Sequence, residues 1–175
     1  MSIRRLFILT LLWVCSTPAF SAAQYTLSSG DSISINVVGE TELTFKKIVL
    51  NDAGAFSYPF IGEVMAKGLT EGQVEQLIAS RLKNGYLVDP RVSVSVLEYR
   101  PFYIGGEVKS PGGYAFKPGL TMDRAIALAG GLTERASDKR ISIIRGKDPS
   151  RAAAKASLNT LVEPGDTINI DQGFF

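Results

Sequence analysis

The sequence predicts an α+β protein made of two small domains that follow a short N-terminal segment. Three observations predict this class. Hydrophobic residues alternate along short stretches, two segments have helical spacing with capping residues, and Gly or Pro recurs about every 10 to 20 residues. The chain has 175 residues, of which 45% are hydrophobic and 21% charged. This composition is typical of globular proteins and argues against a disordered chain or a coiled coil.

The N-terminal residues have the three parts of a secretory signal peptide. Two arginines are followed by an apolar stretch at 6–15, and then by Pro18 and small residues. The apolar stretch is shorter than the roughly 20 residues that a membrane-spanning helix needs, which disfavours an uncleaved anchor. We therefore predict a signal peptide at 1–23, with cleavage after Ser21 or, as we favour, after Ala23.

Alternating hydrophobic residues predict five strands in the rest of the chain. Each set places its large side chains on one face of a strand, with small or polar residues between them. In chain order the sets are Ile33, Ile35 and Val37; Val92, Val94 and Val96; Phe102, Ile104 and Val108; Ile141 and Ile143; and Ile168 and Ile170.

The first predicted helix begins after Thr70, which forms a capping box with Gln73 three residues later. Hydrophobic residues then recur at helical spacing, at Val74, Leu77, Ile78 and Leu82. Gly85 follows Lys83 and predicts the end of the helix.

The second predicted helix begins at Thr121, with Asp123 near the positive end of the helix dipole. Its apolar stripe is formed by Met122, Ala125, Ile126 and Ala129, and Gly130 and Gly131 end it. The stretch at 151–156 is compatible with a third helix or with a strand, and the sequence leaves this open.

Two segments resemble each other. GDSISI at 30–35 recurs as GDTINI at 165–170, so a Gly-Asp turn precedes a strand in both places. Repetition and convergent turn chemistry explain this equally well. A boundary between the two domains is predicted near 99–101, where Pro101 interrupts regular pairing. Pro111 and Gly112 predict a type II turn, in which Gly112 would need a positive φ.

Composition excludes several classes of function. The chain contains no histidine, which removes His-based catalysis and imidazole metal ligation. Its one cysteine, Cys15, rules out an intramolecular disulfide or a paired-cysteine site. The 19 basic and 17 acidic side chains nearly balance, so we expect no nucleic-acid partner. No cofactor and no metal are expected.

Carboxylates are the remaining acid–base candidates, as in a glycosidase pair. The candidates lie beside Gly or Pro or at strand ends, and we interpret them as turn caps and solvated surface: Asp31, Glu40, Asp52, Glu63, Asp89, Glu107 and Asp166. The glycines at 105–106 and 130–131 match no phosphate-binding pattern. A basic cluster is predicted to be a solvated face rather than an anion site: Arg135, Lys139, Arg140, Arg145, Lys147, Arg151 and Lys155. No catalytic residue is predicted, and ligand-binding residues stay unknown.

An ordered set of motifs resembles the polysaccharide biosynthesis/export family. The first half is similar to the family's export domain through YTLSSGDSISINV at 25–37, DAG at 52–54, YPFIGEV at 58–64, GLT at 68–70 and DPRVSV at 89–94. The second half resembles its soluble-ligand-binding β-grasp (SLBB) domain through YIGGEVKSPGGY at 103–114, the segment 121–131 and PGDTI at 164–168. The resemblance implies an export domain at 24–99 and an SLBB domain at 100–175.

The resemblance implies transport and no enzymatic activity. It suggests a periplasmic homo-oligomeric ring, associated with the outer membrane, through which capsular polysaccharide or exopolysaccharide passes. An inner-membrane polysaccharide copolymerase is one implied partner. Large members continue into a helix that crosses the outer membrane, whereas this sequence stops at Phe175. A separate outer-membrane channel, expected to be a β-barrel, is therefore the second implied partner.

Two other interpretations stay open at this point. The first is a monomeric periplasmic module that binds a saccharide through its β-grasp domain. The second is a carboxylate-dependent glycan hydrolase or lyase, which the sequence favours least. Each domain of about 75 residues has a thin hydrophobic core, and this favours packing against another domain or subunit.

Overall fold

The computed structural model describes residues 24–173, and the predicted signal peptide at 1–23 lies outside this range. The chain forms two α+β units, each built around its own hydrophobic core. The predicted class is therefore confirmed. Neither helix in the described range is long and apolar enough to cross a bilayer.

The first unit combines a three-stranded sheet, a hairpin and a helix. Its elements are β1 (Ser32–Val37), a 3₁₀ turn (Thr41–Leu43), β2 (Phe45–Val49), β3 (Ala55–Tyr58), β4 (Gly62–Met65), α1 (Glu71–Lys83) and β5 (Val92–Glu98). The antiparallel sheet has the order β2-β1-β5, and β3 pairs with β4. Ile33 and Ile35 of the central strand are fully buried in the same hydrophobic cluster as Val74, Ile78 and Leu82 of α1. Burying a side chain of this size contributes about 1.5–3 kcal/mol, so this shared cluster stabilises the unit.

The start of α1 follows the predicted capping box. The backbone N–H of Gln73 donates to Thr70 Oγ1 at 3.3 Å, and the backbone N–H of Thr70 donates to Gln73 Oε1 at 2.9 Å. Two N–H groups at the helix end are satisfied in this way. The helix ends at Lys83, and Gly85 follows with φ +103°, as predicted.

Helix α1 also covers the open edge of β5. The backbone N–H of Val94 donates to Glu75 Oε1 at 2.8 Å, and the N–H of Val96 donates to Glu71 Oε1 at 2.6 Å. Unpaired N–H groups on an edge strand would otherwise be available to another strand. The two glutamates therefore close this edge with side-chain acceptors.

The second unit is a five-stranded mixed sheet with one helix. Its elements are β6 (Phe102–Gly106), β7 (Gly112–Tyr114), α2 (Met122–Leu128), β8 (Ala136–Ile144), β9 (Ala153–Ala156) and β10 (Thr167–Gln172). The strand order is β7-β6-β10-β8-β9, and only β6 and β10 are parallel. The first and last strands of the unit thus lie side by side at its centre, and α2 packs its buried Met122, Ala125 and Ile126 into the same core. This is a β-grasp-like arrangement.

All five predicted strands are present, although β6 ends at Gly106 and Val108 forms only an isolated bridge with Leu132. Five further strands lack the alternation that would predict them. The further strands are β2, β3, β4, β7 and β9. They are short or largely exposed, so their hydrophobic pattern is weak. The segment 151–156, which the sequence left open, contains strand β9, because residues 153–156 pair with residues 141–144 of β8.

The predicted type II turn at Gly112 is wrong. Gly112 has no positive φ; it opens β7 and pairs with Ile104. Local turn chemistry is overridden here by pairing with β6. Gly106 is the glycine that the backbone requires, because its φ is +80° and a Cβ there would lie 2.1 Å from the backbone oxygen of Ile170.

We predict that Gly106→Ala destabilises the second unit by on the order of 3 kcal/mol, because the left-handed backbone and the contact with β10 both oppose a side chain. Gly112→Ala is the matched control, since a Cβ at this position meets nothing within 4 Å. Urea unfolding followed by circular dichroism measures both. Equal midpoints for the two variants would show that the β6–β10 contact does not require glycine.

Candidate functional site

The two units meet at a short junction between β5 and β6. Only 99–101 separate these strands. The backbone N–H of Arg100 donates to Asp31 in the first unit, and Gly165 in the second unit donates its N–H to the carbonyl oxygen of Pro101 at 3.1 Å. The Arg100 guanidinium donates through Nη1 to Ser28 Oγ at 2.7 Å. Consequently both Gly-Asp turns are hydrogen bonded to the junction.

Asp31 is a fully buried carboxylate with three donors. Oδ2 accepts from the Tyr25 hydroxyl at 2.6 Å and from the Ser28 backbone N–H at 2.7 Å, and Oδ1 accepts from the Arg100 backbone N–H at 3.0 Å. Burial and this hydrogen bond raise the pKa of Tyr25 above its ordinary value, so the hydroxyl keeps its proton and donates. Asp31 thus connects the start of the first unit to the junction.

Asp166 has the equivalent arrangement in the second unit. It is also fully buried, and Oδ2 accepts from the backbone N–H of Glu163, three residues earlier, at 2.8 Å. Arg145 Nη1 donates to the same oxygen at 2.8 Å, and the Gly146 backbone N–H donates to Oδ1 at 2.9 Å. The resemblance between 30–35 and 165–170 is therefore structural as well: φ is +85° at Gly30 and +83° at Gly165.

A cleft of about 630 Å³ lies between the two turns. One wall comes from the first unit, at 24–29 and 67–68, and the junction supplies Tyr99 and Arg100. The second unit supplies the opposite wall, formed by Phe116, Pro118, Gly119, Gly146, Lys147, Glu163 and Pro164. Small-molecule sites commonly have volumes of about 300–1,000 Å³ and lie between domains, so this cleft is the candidate site.

Three cations and one carboxylate are among the residues that line the cleft. Lys147 Nζ lies 2.6 Å from Glu163 Oε2, so these two charges pair. Within residues 24–173, the Lys67 ammonium and the Arg100 guanidinium have no carboxylate oxygen within 4 Å. Asp31 is close to Arg100, but its oxygens already accept three hydrogen bonds. The cleft therefore offers unpaired cationic donors.

Three aromatic rings form a continuous line across the junction. The ring centroids of Tyr25 and Tyr99 are 4.8 Å apart, and those of Tyr99 and Phe116 are 5.4 Å apart, both in edge-to-face geometry. All three residues are half-buried. The line joins the first unit to the second and gives the cleft an apolar wall beside its cations.

The structure separates the other predicted carboxylates from the cleft lining. Asp52, Glu63 and Asp89 are exposed, in agreement with a solvated surface. Glu107 accepts from Thr133 Oγ1 at 2.6 Å and lies 2.8 Å from Arg135 Nη2. The hydrogen bond from Thr133 and the charge of Arg135 hold the pKa of Glu107 below its usual value. The interpretation as turn caps suits Asp31 and Asp166, but both are buried rather than solvated.

The predicted basic cluster is divided among several contacts. Arg135 pairs with Glu107, and Arg145 pairs with the buried Asp166. Arg140 donates to the Gln172 carbonyl oxygen at 3.1 Å. Lys147 is the member that lines the cleft. Lys67, Arg100 and the aromatic line were missed by sequence reasoning, because they come together only through contacts between the two units. Across residues 24–173 no group of three or more potential metal ligands occurs.

Two family models match the chain in the order of its two units. The model for polysaccharide biosynthesis/export proteins matches 20–97, and the model for the SLBB domain matches 101–152. This chain belongs to the polysaccharide biosynthesis/export family. The two matches leave only 98–100 between them, which overlaps the junction at 99–101 and includes Arg100.

Named relatives of this family align with most of the chain. The exopolysaccharide production protein ExoF of Rhizobium meliloti (strain 1021) is 29% identical over 79% of the chain. The polysialic acid transport protein KpsD of Escherichia coli is 32% identical over 70% of it. The capsule polysaccharide export outer membrane protein CtrA of Neisseria meningitidis serogroup B (strain ATCC BAA-335 / MC58) is 28% identical over 67% of it. The aligned part covers 35%, 22% and 32% of these relatives, respectively, so the chain corresponds to about a third of their length or less.

We predict that Asp31→Asn and Asp166→Asn each destabilise the fold by on the order of 3 kcal/mol, because the amide nitrogen that replaces one carboxylate oxygen donates instead of accepting and would face the donors that this oxygen served. The matched control is Asp89→Asn, an exposed residue 3.5 Å from Arg91, for which we expect a change within about 0.5 kcal/mol. Urea midpoints compare the three variants. If Asp31→Asn and Asp89→Asn have the same urea midpoint, the buried carboxylate does not stabilise the junction.

Proposed function

We propose that this chain is a non-enzymatic component of a machine that exports capsular polysaccharide or exopolysaccharide. The observation that supports this most strongly is the ordered pair of export and SLBB domains, with limits that we place at 24–99 and 100–175. Two of the named relatives are described as polysaccharide transport or export proteins, and ExoF as an exopolysaccharide production protein. Polysaccharide is accordingly the proposed cargo.

We place the protein in the periplasm, associated with the outer membrane, after export through the signal peptide at 1–23. The similarity to CtrA, a capsule polysaccharide export outer membrane protein, supports this location. The proposed partners are an inner-membrane polysaccharide copolymerase and a separate outer-membrane channel. The two domains would form or contribute to a homo-oligomeric ring, and this ring would guide the polymer from the copolymerase to the channel.

An exposed aromatic pair in the first unit supports self-association. Phe60 is 61% exposed, and its ring centroid lies 5.3 Å from that of Tyr86. The nearby loop also presents Val88 at 92% exposure. Phe60 also has φ +64°, a left-handed backbone conformation that is unusual for a bulky residue. Such a pair is suited to a contact with another copy, in which different faces meet around a ring.

The contacts of the buried acids support a non-enzymatic role. Asp31 and Asp166 accept hydrogen bonds from backbone and side-chain groups of the fold, and these bonds occupy both oxygens of each carboxylate. A general acid or base must instead reach a substrate proton directly or through one water. Their contacts fit a structural role in the two turns.

We predict that deleting the gene leaves polymer synthesis active but stops its appearance outside the cell. The polymer should then accumulate within the cell envelope, because the step that is lost is transfer. The measurement is the cell-associated and the secreted polysaccharide, with and without a plasmid-borne copy. A plasmid-borne Asp89→Asn variant should restore secretion of the polymer and serves as the control for expression. Absence of polymer from both fractions would instead indicate a role in synthesis.

We predict that the mature chain self-associates and that Phe60→Ser weakens this association without unfolding the monomer. Loss of an exposed aromatic anchor removes apolar contact area between copies while the core stays unchanged. Light scattering at high micromolar concentration, alone and with membrane extract, measures the mass. The matched control is Val49→Ser, an exposed apolar residue on β2. A strict monomer in every condition would favour the second candidate, a monomeric saccharide-binding module, which the cleft supports.

A further inference from the structure

We propose that the cleft between the two units is a binding site for an acidic saccharide, a sugar that carries a carboxylate. The inference rests on the proposed function, since an exported polysaccharide is the ligand that this cleft would meet. Lys67 and Arg100 supply the cationic donors, and the line formed by Tyr25, Tyr99 and Phe116 supplies the apolar wall.

The cleft lining has more cationic than anionic side chains, and this favours a ligand with an anionic group. Glu163 Oε2 lies 2.6 Å from Lys147 Nζ, whereas Lys67 is exposed and the Arg100 guanidinium donates one hydrogen bond, to Ser28 Oγ. A guanidinium has five N–H donors. In Arg100, Nε is buried without an acceptor, beside Gly165, and Nη1 donates one hydrogen bond. The remaining Nη donors are available to a carboxylate, whose two oxygens match their geometry.

The rest of the lining selects a sugar over a bare anion. Aromatic edges and faces provide apolar contact for the C–H groups of a sugar ring, and small polar side chains provide hydrogen-bond partners for its hydroxyls. Thr26, Ser28 and Ser29 line the same wall. The cleft volume of about 630 Å³ lies within the range of small-ligand sites.

The position of the cleft couples binding to both units. One wall belongs to the turn before Asp31 and the other to the turn before Asp166, and Arg100 lies between them, with its side chain packed against Gly165. A saccharide in the cleft would therefore contact the export domain and the SLBB domain at the same time. Neither unit alone provides the complete site.

The test uses two disaccharides that differ in a single group. Cellobiouronic acid carries a carboxylate where cellobiose carries a hydroxymethyl group. For the mature chain we expect calorimetry to show at least tenfold tighter binding of the acid, as expected for one charge-assisted contact, with affinity falling as salt rises. Amide chemical-shift changes should map to residues 24–29, 99–100 and 116–119. Equal affinity for the two sugars, or shifts mapping elsewhere, would overturn the proposal.

Variants distinguish the two cations from general surface charge. Lys67→Gln should weaken binding of the acid about five- to tenfold and leave cellobiose unaffected, whereas Lys83→Gln, an exposed lysine at the end of α1, should change neither. Arg100→Met should abolish the preference for the acid, and its unfolding midpoint shows whether the fold is intact. If Arg100→Met unfolds, Lys67→Gln alone decides. Unchanged binding by Lys67→Gln would overturn the proposal.

Two further arms separate this inference from its alternatives and from the proposed function. Inorganic phosphate and glucose 6-phosphate test for a phosphate site, and tighter binding of phosphate alone than of cellobiouronic acid would contradict a saccharide site. Export by Lys67→Gln in the deletion strain is measured separately. Normal export together with lost binding would overturn a role of the cleft in export while leaving the proposed function intact. If the deletion strain loses export but the mature chain binds neither sugar, the saccharide site is overturned and the proposed export function stands.

Discussion

The buried carboxylate of Asp31 is the interaction on which the arrangement of the two units depends. It accepts hydrogen bonds from Tyr25 at the start of the first unit, from the turn at Ser28 and from the backbone of Arg100 at the junction. A buried charge is tolerated only when its hydrogen-bonding capacity is used, so the three donors have to be held together. The strand β1 that follows Asp31 is the central strand of its sheet. The same carboxylate thus positions a sheet, a turn and the start of the next unit.

The sequence predicted the parts of the fold that depend on neighbours along the chain. The capping box of Thr70 and Gln73 is local, and the alternation at Ile33 and Ile35 directly reflects burial of one strand face. Gly112 shows the opposite case, because Pro111 and Gly112 favour a turn until pairing with Ile104 makes the segment a strand. Segment 151–156 was ambiguous for the same reason. Its state is decided by pairing with β8, which no local pattern reveals.

The candidate site was beyond sequence reasoning because its groups are far apart in the chain. Lys67, Arg100 and Phe116 belong to three separate segments, and only the junction brings them together. The Gly-Asp turns were visible as a repeated motif, but their burial was not, since a turn aspartate is usually solvated. Nothing in the sequence linked the repeated Gly-Asp motif to a binding site or to the predicted boundary at 99–101. The family matches place their limits on either side of the same few residues.

The closed edge of β5 has a consequence for how copies of this chain can meet. Glu71 and Glu75 already accept the hydrogen bonds that an incoming strand would use, so a neighbour cannot extend this sheet without first displacing α1. An interface between copies at that edge would have to be formed by side chains, as between subunits that fold separately. Such an interface can dissociate and re-associate while each copy keeps its own backbone hydrogen bonds. An assembly held by such interfaces could form reversibly from folded subunits. At that edge the chain also offers no unpaired strand that could template a fibre.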